Sequence, residues 1–144
     1  MSSAFRRGQL YWAEVPYLPE RPLDILRRGR QKGELRVVLT FKRRPVLIVQ
    51  NDRDNANPRY NYLLVAPIHS LKPVELARLQ EVNYPTDFLL TPPEGGLTRP
   101  SVVFLNQLRT LHKNLMTEYI GELPPTRIAE LNVKLALSLG LVAP

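Results

Sequence analysis

Alternating and continuous runs of apolar residues predict a protein built mainly from short strands. Residues 9–15 (QLYWAEV) are rich in aromatic residues and alternate in part, and residues 35–41 (LRVVLTF) alternate loosely. Residues 46–50 (VLIVQ) begin with a continuous apolar run, which is typical of a strand buried on both faces. Turn-forming residues at positions 51–55 separate this run from residues 62–66, so we expect the two runs to pair as antiparallel strands.

The second half of the chain adds helices to this pattern. Residues 73–80 favour a short helix with proline at its first position, and residues 88–91 and 101–105 favour strands. The clearest helical signal is a stripe of four apolar residues spaced three, four and four apart: Ile128, Leu131, Leu135 and Leu139. The pattern therefore predicts a mainly β or α+β fold, in which a small curved antiparallel sheet packs against a C-terminal helix.

Length and composition indicate one compact domain. The chain has 144 residues, without a repeat or a linker, and we expect a single domain over residues 1–144. Because it has no cysteine, a disulfide framework, a thiolate metal site and a cysteine nucleophile are excluded. Its apolar runs are too short to cross a bilayer and no signal segment opens it, so we expect a cytoplasmic protein without membrane contact.

The charge balance favours a polyanionic partner. The formal net charge is +7, and nucleic acid is the commonest polyanion in a cell. A basic surface that only keeps the protein in solution remains the alternative, because charge alone does not separate the two.

Five segments of the chain carry a family resemblance: residues 7–15 (RGQLYWAEV), 44–52 (RPVLIVQND), 66–70 (APIHS), 94–97 with 101–110 (EGGL, SVVFLNQLRT) and 121–141. In this order, they resemble segments of the MazF/PemK family of toxin endoribonucleases. The second is similar to that family's RPVLVVQND strand and turn, the third to its APITS segment, and the fourth to its GL…SVVLLDQIRT strand. The resemblance covers most of the chain except about residues 17–33 and 71–87.

This resemblance implies a fold, an activity and partners. The fold is a small SH3-like antiparallel β-barrel with short helices, assembled as a homodimer. The activity is that of a type II toxin: cleavage of single-stranded RNA, including mRNA, without metal or cofactor, through attack by the 2′-hydroxyl. The expected partners are single-stranded RNA and a cognate antitoxin protein.

Arg44 is the first candidate catalytic residue. It matches the family's catalytic arginine, and its planar guanidinium suits two oxygens of a phosphorane. The alternative is a structural ion pair with Glu34 or Asp52.

His69 and Ser70 are the other two candidate catalytic residues. The family usually has threonine where this chain has His69, and an imidazole can act as acid or base near neutral pH. A histidine without a chemical role is as compatible with the sequence. Ser70 can donate a hydrogen bond to phosphate or serve only to cap a turn.

Three polar residues within the fourth segment are predicted RNA contacts: Asn106, Gln107 and Arg109. The alternative for Gln107 is a structural role, in which it orients loops near the site. Asn106 stands where the family often has Asp or Glu, which removes one candidate base. His112 is a second histidine, but its spacing from His69 does not place the two together. Tyr11 and Trp12 can stack on bases, although aromatic residues in a first strand are more often core residues.

The loop around residues 17–33 is longer than in the family and strongly basic. It contains Arg28 and Arg30, which we interpret as phosphate contacts; a solvated loop is the alternative. Glu34 lies ten residues before Arg44, whereas the family's glutamate lies about five before its arginine, so the spacing does not match the family pattern.

A non-catalytic function is the alternative to RNA cleavage. CcdB-like toxins share this barrel and bind DNA gyrase, and a degenerate homologue could bind RNA without cutting it. The histidine and asparagine at positions 69 and 106 make such a loss of catalysis conceivable.

Overall fold

The computed structural model describes residues 5–17, 30–31, 34–35 and 38–143. Its helices are α1 (Asp52–Ala56), α2 (Pro73–Val82) and α3 (Pro125–Ser138), with single 3₁₀ turns at Glu94–Gly96 and Lys113–Leu115. Its strands within these residues are β1 (Gln9–Tyr17), β2 (Arg30–Gln31), β3 (Glu34–Leu35), β4 (Thr40–Ile48), β5 (Tyr62–Ser70), β6 (Asp87–Leu90), β7 (Ser101–Phe104), β8 (Arg109–His112) and β9 (Met116–Glu122).

Five antiparallel strands form a curved, barrel-like sheet in the order β9-β1-β4-β5-β8. A single 3₁₀ turn joins β8 to β9, and no ladder links these two strands in the described part of the chain, so the sheet stays open there. One face of this sheet buries a cluster that we call the barrel core: Ala13, Val15, Val46, Ile48, Leu63, Val65 and Leu111. The predicted mainly β fold, a small curved antiparallel sheet with short helices, is confirmed, and the sheet is barrel-like without being closed.

A second cluster, the helix core, lies on the other face of the sheet. It includes Leu10, Leu47, Ala66 and Ile68, and it extends over β6 and β7, which continue the sheet from the C-terminal half of β5. Helix α3 closes it with Leu131, which is fully buried. Residues next to each other on β4 thus enter different cores, as predicted for a strand buried on both faces.

The helical stripe of α3 is confirmed for three of its four residues. Ile128 and Leu135 pack beside Leu131 against the helix core, one turn to either side. Leu139 follows the end of the helix and is 58% exposed, so it contributes little to this packing.

The boundaries of β4 differ from the prediction. Residues 40–48 form one strand that runs through Pro45, whereas the sequence predicts separate strands at residues 35–41 and 46–50. A proline is tolerated at position 45 because β4 does not pair with β5 at that point. The β4–β5 ladder ends at the pair Val46–Pro67, while β1 still pairs along the other side of β4. Of the predicted strand at residues 35–41, Leu35 belongs to β3 and Thr40 begins β4.

Some short elements were not predicted. The sequence does not predict strands β8 and β9, because their residues alternate poorly in hydrophobicity and their pairing partners are distant along the chain. Residues 52–56 form a helix rather than a turn, capped by the side chain of Asn51, which accepts from the backbone N–H of Asp54. The predicted antiparallel pairing of residues 46–50 with 62–66 is confirmed, and the structure places Leu47 opposite Ala66.

Most of the basic loop around residues 17–33 lies outside the described residues, and Arg28 is among these. Arg30 is placed in β2, opposite Leu35 of β3. Within the described ranges, no helix combines the length and the apolar character that a membrane span requires.

Candidate active site

Arg44 and His69 lie at the same end of two neighbouring strands. The β4–β5 ladder ends at the pair Val46–Pro67; Arg44 precedes Val46 by two residues and His69 follows Pro67 by two. Because the strands are antiparallel, both residues extend past the pair in the same direction. Two-residue steps also keep both side chains on the sheet face of Val46, the face of the barrel core. Both side chains are exposed at this end of the sheet.

The imidazole of His69 rests beside an aromatic ring. His69 pairs with Val102 of β7, and its ring centre is 6.0 Å from that of Phe104, with an angle of 33° between the planes. The ring is therefore supported on one side and open to solvent on the other, a setting in which it can exchange a proton with a bound substrate.

The predicted alternative of an ion pair between Arg44 and Asp52 is not formed. The Asp52 carboxylate instead accepts a hydrogen bond of 2.6 Å from the backbone N–H of Arg7 and another of 3.2 Å from Asn55. The side chain of Glu34 lies outside what the structure describes.

Ser70 faces away from Arg44 and His69. It follows His69 on β5, so it belongs to the sheet face of the helix core, where it pairs with Ser101 of β7. It lines a groove of about 310 Å³. We call this groove the Trp12 slot, after the residue of β1 at one side; Pro45, Leu97, Arg99 and Ile120 also line it.

A second cavity, of about 650 Å³, adjoins the slot and shares Ser70 and Arg99 with it. Lys72 and His69 also line this cavity, together with the start of α2. Arg44 contributes to neither cavity. The three predicted catalytic residues are thus brought to one end of the β4–β5 pair but divided between its two faces.

Arg99 was missed by the sequence reading. Its side chain is exposed, and its backbone carbonyl accepts from Ser101 Oγ at 3.0 Å, which fixes the turn entering β7. Its position was an indication in the sequence: Arg99 lies between residues 97 and 101, in a stretch that the family resemblance does not include. A cation beside Ser70 gives this face a group that can bind phosphate.

The three predicted RNA contacts occupy different settings. Asn106 and Gln107 are exposed in the turn after β7, where the backbone N–H of Gln107 donates to the carbonyl of Phe104. Arg109 is half-buried: its guanidinium donates to the backbone carbonyl of Pro16 and lies over the ring of Tyr17.

The two histidines do not form a pair. His112 lies opposite Tyr62 at the start of β5, and its Nδ1 accepts from the backbone N–H of Asn114. Seven strand residues, roughly 20 Å, separate that position from His69.

The two aromatic residues of β1 have different environments. Tyr11 packs against the barrel core, as predicted, between Phe5 and Tyr119, and burial together with Tyr119 raises its pKa. The prediction that Trp12 is a core residue is wrong. Its ring is half-buried and lines the slot, and the guanidinium of Arg43 lies 4.5 Å from the ring centre. The reason is that residues 12 and 45 lie beyond the end of the helix core on that face.

Metal-binding residues are not grouped in the described part of the chain: no three of its His, Asp and Glu side chains lie together in a way that could hold an ion.

Comparison with known protein families identifies the family of the chain. A model of the PemK-like, MazF-like toxins of type II toxin–antitoxin systems matches residues 6–139. The chain belongs to this family. The matched region contains every described residue of the candidate site and both cores.

Curated relatives of the toxin are endoribonucleases. Endoribonuclease EndoA of Bacillus subtilis is 32% identical over 138 residues, covering 95% of this chain and 96% of the relative. Endoribonuclease MazF of Staphylococcus saprophyticus is 29% identical over 137 residues, covering 94% and 92%. A mycobacterial endoribonuclease, solved in complex with its cognate antitoxin, superposes with a TM-score of 0.62 at 22% identity, covering 99% of this chain and all of that one. This last similarity confirms the fold of the MazF-like toxin.

Proposed function

We propose that this MazF-like toxin is an endoribonuclease that cleaves single-stranded RNA, including mRNA, by attack of a 2′-hydroxyl on the adjacent phosphorus, without a metal ion. The observation that carries the proposal is the placement of Arg44 and His69 two residues beyond the same strand pair, on one face and both exposed. Curated relatives named as endoribonucleases match over more than nine tenths of the chain.

The chemistry needs three groups at the phosphate: a base, a positive charge and an acid. As the 2′-oxygen attacks, it loses its proton to a base, and the oxygens of the phosphorane gain negative charge. The bond to the 5′-oxygen of the next nucleotide then breaks, and an acid protonates that oxygen. The products are a 2′,3′-cyclic phosphate and a free 5′-hydroxyl.

Arg44 supplies the positive charge in this scheme. Two N–H groups of its guanidinium fit two non-bridging oxygens, and Pro45 together with the pairing to β1 restrains the backbone that carries it. His69 supplies a group that can take up or release the proton.

Residues around this pair position the RNA. Ser70 and Arg99, on the other face of the strands, bind a neighbouring phosphate. Asn106 and Gln107 are exposed where the strand beside His69 ends, and we assign them, with Arg109 and the loop residues Arg28 and Arg30, to RNA binding.

The toxin works in the cytoplasm as a homodimer, and a cognate antitoxin inhibits it. The family membership supports this assembly, and a mycobacterial endoribonuclease of the same fold is known in complex with its antitoxin. Light scattering of the purified toxin, expected to give twice the mass of one chain, tests the dimer.

RNA cleavage in the presence of EDTA tests the activity. The wild-type toxin is incubated with mixed single-stranded RNA, and the ends of the products are analysed for cyclic phosphate. We expect cleavage by the wild type and a loss of about 100- to 1,000-fold or more in Arg44→Ala. Arg59→Ala, an exposed arginine at the opposite end of β5, is the matched control and retains activity.

Two results would contradict the proposal. Unchanged cleavage by a folded Arg44→Ala variant removes Arg44 from the site. An intact RNA pool after incubation with folded wild type, together with recovery of gyrase in a pull-down, indicates a CcdB-like binding module instead.

A further inference from the structure

The Trp12 slot has apolar walls and polar groups at its opening. The side chains of Trp12, Pro45, Leu97 and Ile120 give it apolar walls, and Ser70 and Arg99 add polar groups at the boundary with the second cavity. None of the residues that line the slot is acidic. A groove with a flat aromatic wall, polar groups at its edge and a cation suits a planar, hydrogen-bonding group attached to a phosphate.

The indole that forms one wall is held in place. The guanidinium of Arg43 lies 4.5 Å from the centre of the Trp12 ring and is itself paired with Glu118, at 3.3 Å. The backbone carbonyl of Trp12 accepts from Thr117 Oγ1 of β9. Because the ring is fixed by these contacts, little conformational freedom is lost when a ligand packs against it.

The opposite wall is pressed onto β9 by two glycines. A Cβ on Gly96 would lie 2.4 Å from the carbonyl oxygen of Ile120, and a Cβ on Gly121 would lie 2.4 Å from that of Gly95. Only glycine permits backbones to approach so closely, so the turn before Leu97 has a fixed distance to the strand. An ion pair of 2.8 Å between Glu94 and Arg127 anchors the same turn to α3. The slot is therefore preformed.

The slot lies next to the proposed reaction centre. Pro45 lines it, and Arg44, the next residue, faces the other side of β4. Beyond Val46–Pro67 the two strands no longer pair, so the ends of both faces are accessible from one side.

We propose that the Trp12 slot binds one unstacked nucleobase of the RNA substrate, with the attached phosphate at Ser70 and Arg99. This inference rests on the proposed function, since it assigns a substrate subsite to the same toxin. Stacking on Trp12 supplies affinity for any base, and the polar groups at the edge of the slot discriminate between bases.

The fluorescence of wild-type toxin tests the inference, because Trp12 is the only tryptophan in the chain. The probe is a short 2′-deoxy oligonucleotide of mixed sequence, which lacks the attacking hydroxyl and stays intact. Its binding is followed in parallel by the anisotropy of a terminal dye. We expect Trp12 emission to change in a saturable way with the same midpoint as the anisotropy. An abasic deoxyribose phosphate oligomer of equal length is expected to leave the emission unchanged.

Two pairs of variants test the walls of the slot. Trp12→Ala is expected to weaken binding by about 5- to 150-fold, the range of one base–aromatic stack, whereas Trp12→Phe keeps most of the affinity. Leu97→Glu places a carboxylate in the slot and weakens binding by at least about tenfold. The exposed change Thr126→Glu alters the net charge equally and has a much smaller effect.

The outcomes separate this inference from the proposed function. Binding by anisotropy without a change in Trp12 emission overturns the slot, and so does the absence of binding by folded protein. RNA cleavage that persists in either case leaves the proposed function standing. A change in emission that depends on the bases, from a protein that cleaves no RNA, supports the slot and contradicts the nuclease.

Discussion

The guanidinium of Arg109 on β8 donates a hydrogen bond to the backbone carbonyl of Pro16 on β1 and lies 5.3 Å from the centre of the Tyr17 ring. These two strands are not neighbours in the sheet, so this contact links them across the barrel-like end. The sequence predicts an RNA contact at Arg109, and the structure adds a connection within the fold.

Arg109→Ala is expected to lower the free energy of unfolding by about 1.5–3 kcal/mol, the range for a hydrogen bond from a charged donor. Urea denaturation measures this change. The exposed Arg59→Ala serves as the control and is expected to change stability by less than about 0.5 kcal/mol. A stable Arg109→Ala variant with weakened RNA binding would instead assign Arg109 to the RNA alone.

His69→Gln is expected to slow RNA cleavage by about 100- to 10,000-fold, because an amide cannot transfer the proton that an imidazole can. His69→Thr introduces the residue that the family resemblance favours, and we expect it to retain part of the activity. Cleavage rates of the folded variants under single-turnover conditions measure the effect. Equal rates in wild type and His69→Gln would show that the imidazole has no chemical role.

Arg99→Ala is expected to weaken RNA binding and to reduce its dependence on salt. Each phosphate neutralised on a single strand contributes about 0.7 to the slope of log affinity against log salt concentration, so the slope should fall by about that amount. Titrations at several salt concentrations measure it. Arg59→Ala, at the far end of β5, should leave both slope and affinity unchanged, and equal slopes in all three proteins would exclude Arg99 from the interface.

Gly121→Ala is expected to destabilise the protein by about 1–3 kcal/mol, because the new Cβ would lie 2.4 Å from the carbonyl oxygen of Gly95 and the backbone must shift. The emission maximum of Trp12 should move as the wall of the slot is displaced. Gly140→Ala is the comparison: its φ of +73° is unfavourable for alanine, but its surroundings are open, so about 1 kcal/mol is expected without a change in emission.

Tyr11→Phe is expected to reduce the loss of stability at alkaline pH. Burial and the nearby Tyr119 raise the pKa of Tyr11 above its ordinary value of 10.0, so the folded protein retains the neutral phenol longer than the unfolded chain does. That contribution is complete below about pH 10 and is lost as the pH rises through the raised value.

Thermal unfolding of wild type and Tyr11→Phe from neutral to strongly alkaline pH measures this difference. The exposed Tyr84→Phe is the control and should behave as the wild type does. If the melting temperatures of wild type and Tyr11→Phe fall equally as the pH rises, Tyr11 is not linked to alkaline unfolding.

The sequence by itself determined the elements whose signals are local. The apolar run at residues 46–48 enters two cores, and the stripe of Ile128, Leu131 and Leu135 builds α3, because burial on strands and helices follows fixed periods that can be read along the chain. The motif around Arg44 also pointed to the family, since its residues are contiguous.

Only the tertiary structure decided which side each candidate residue occupies and what lies beside it. The division of His69 and Ser70 between two faces depends on the β4–β5 register. The place of Trp12 in a slot depends on a turn more than eighty residues away that two glycines press onto β9. Such relationships join residues that are distant along the chain, and they arise from strand pairing and close packing, which leave no periodic pattern in the sequence.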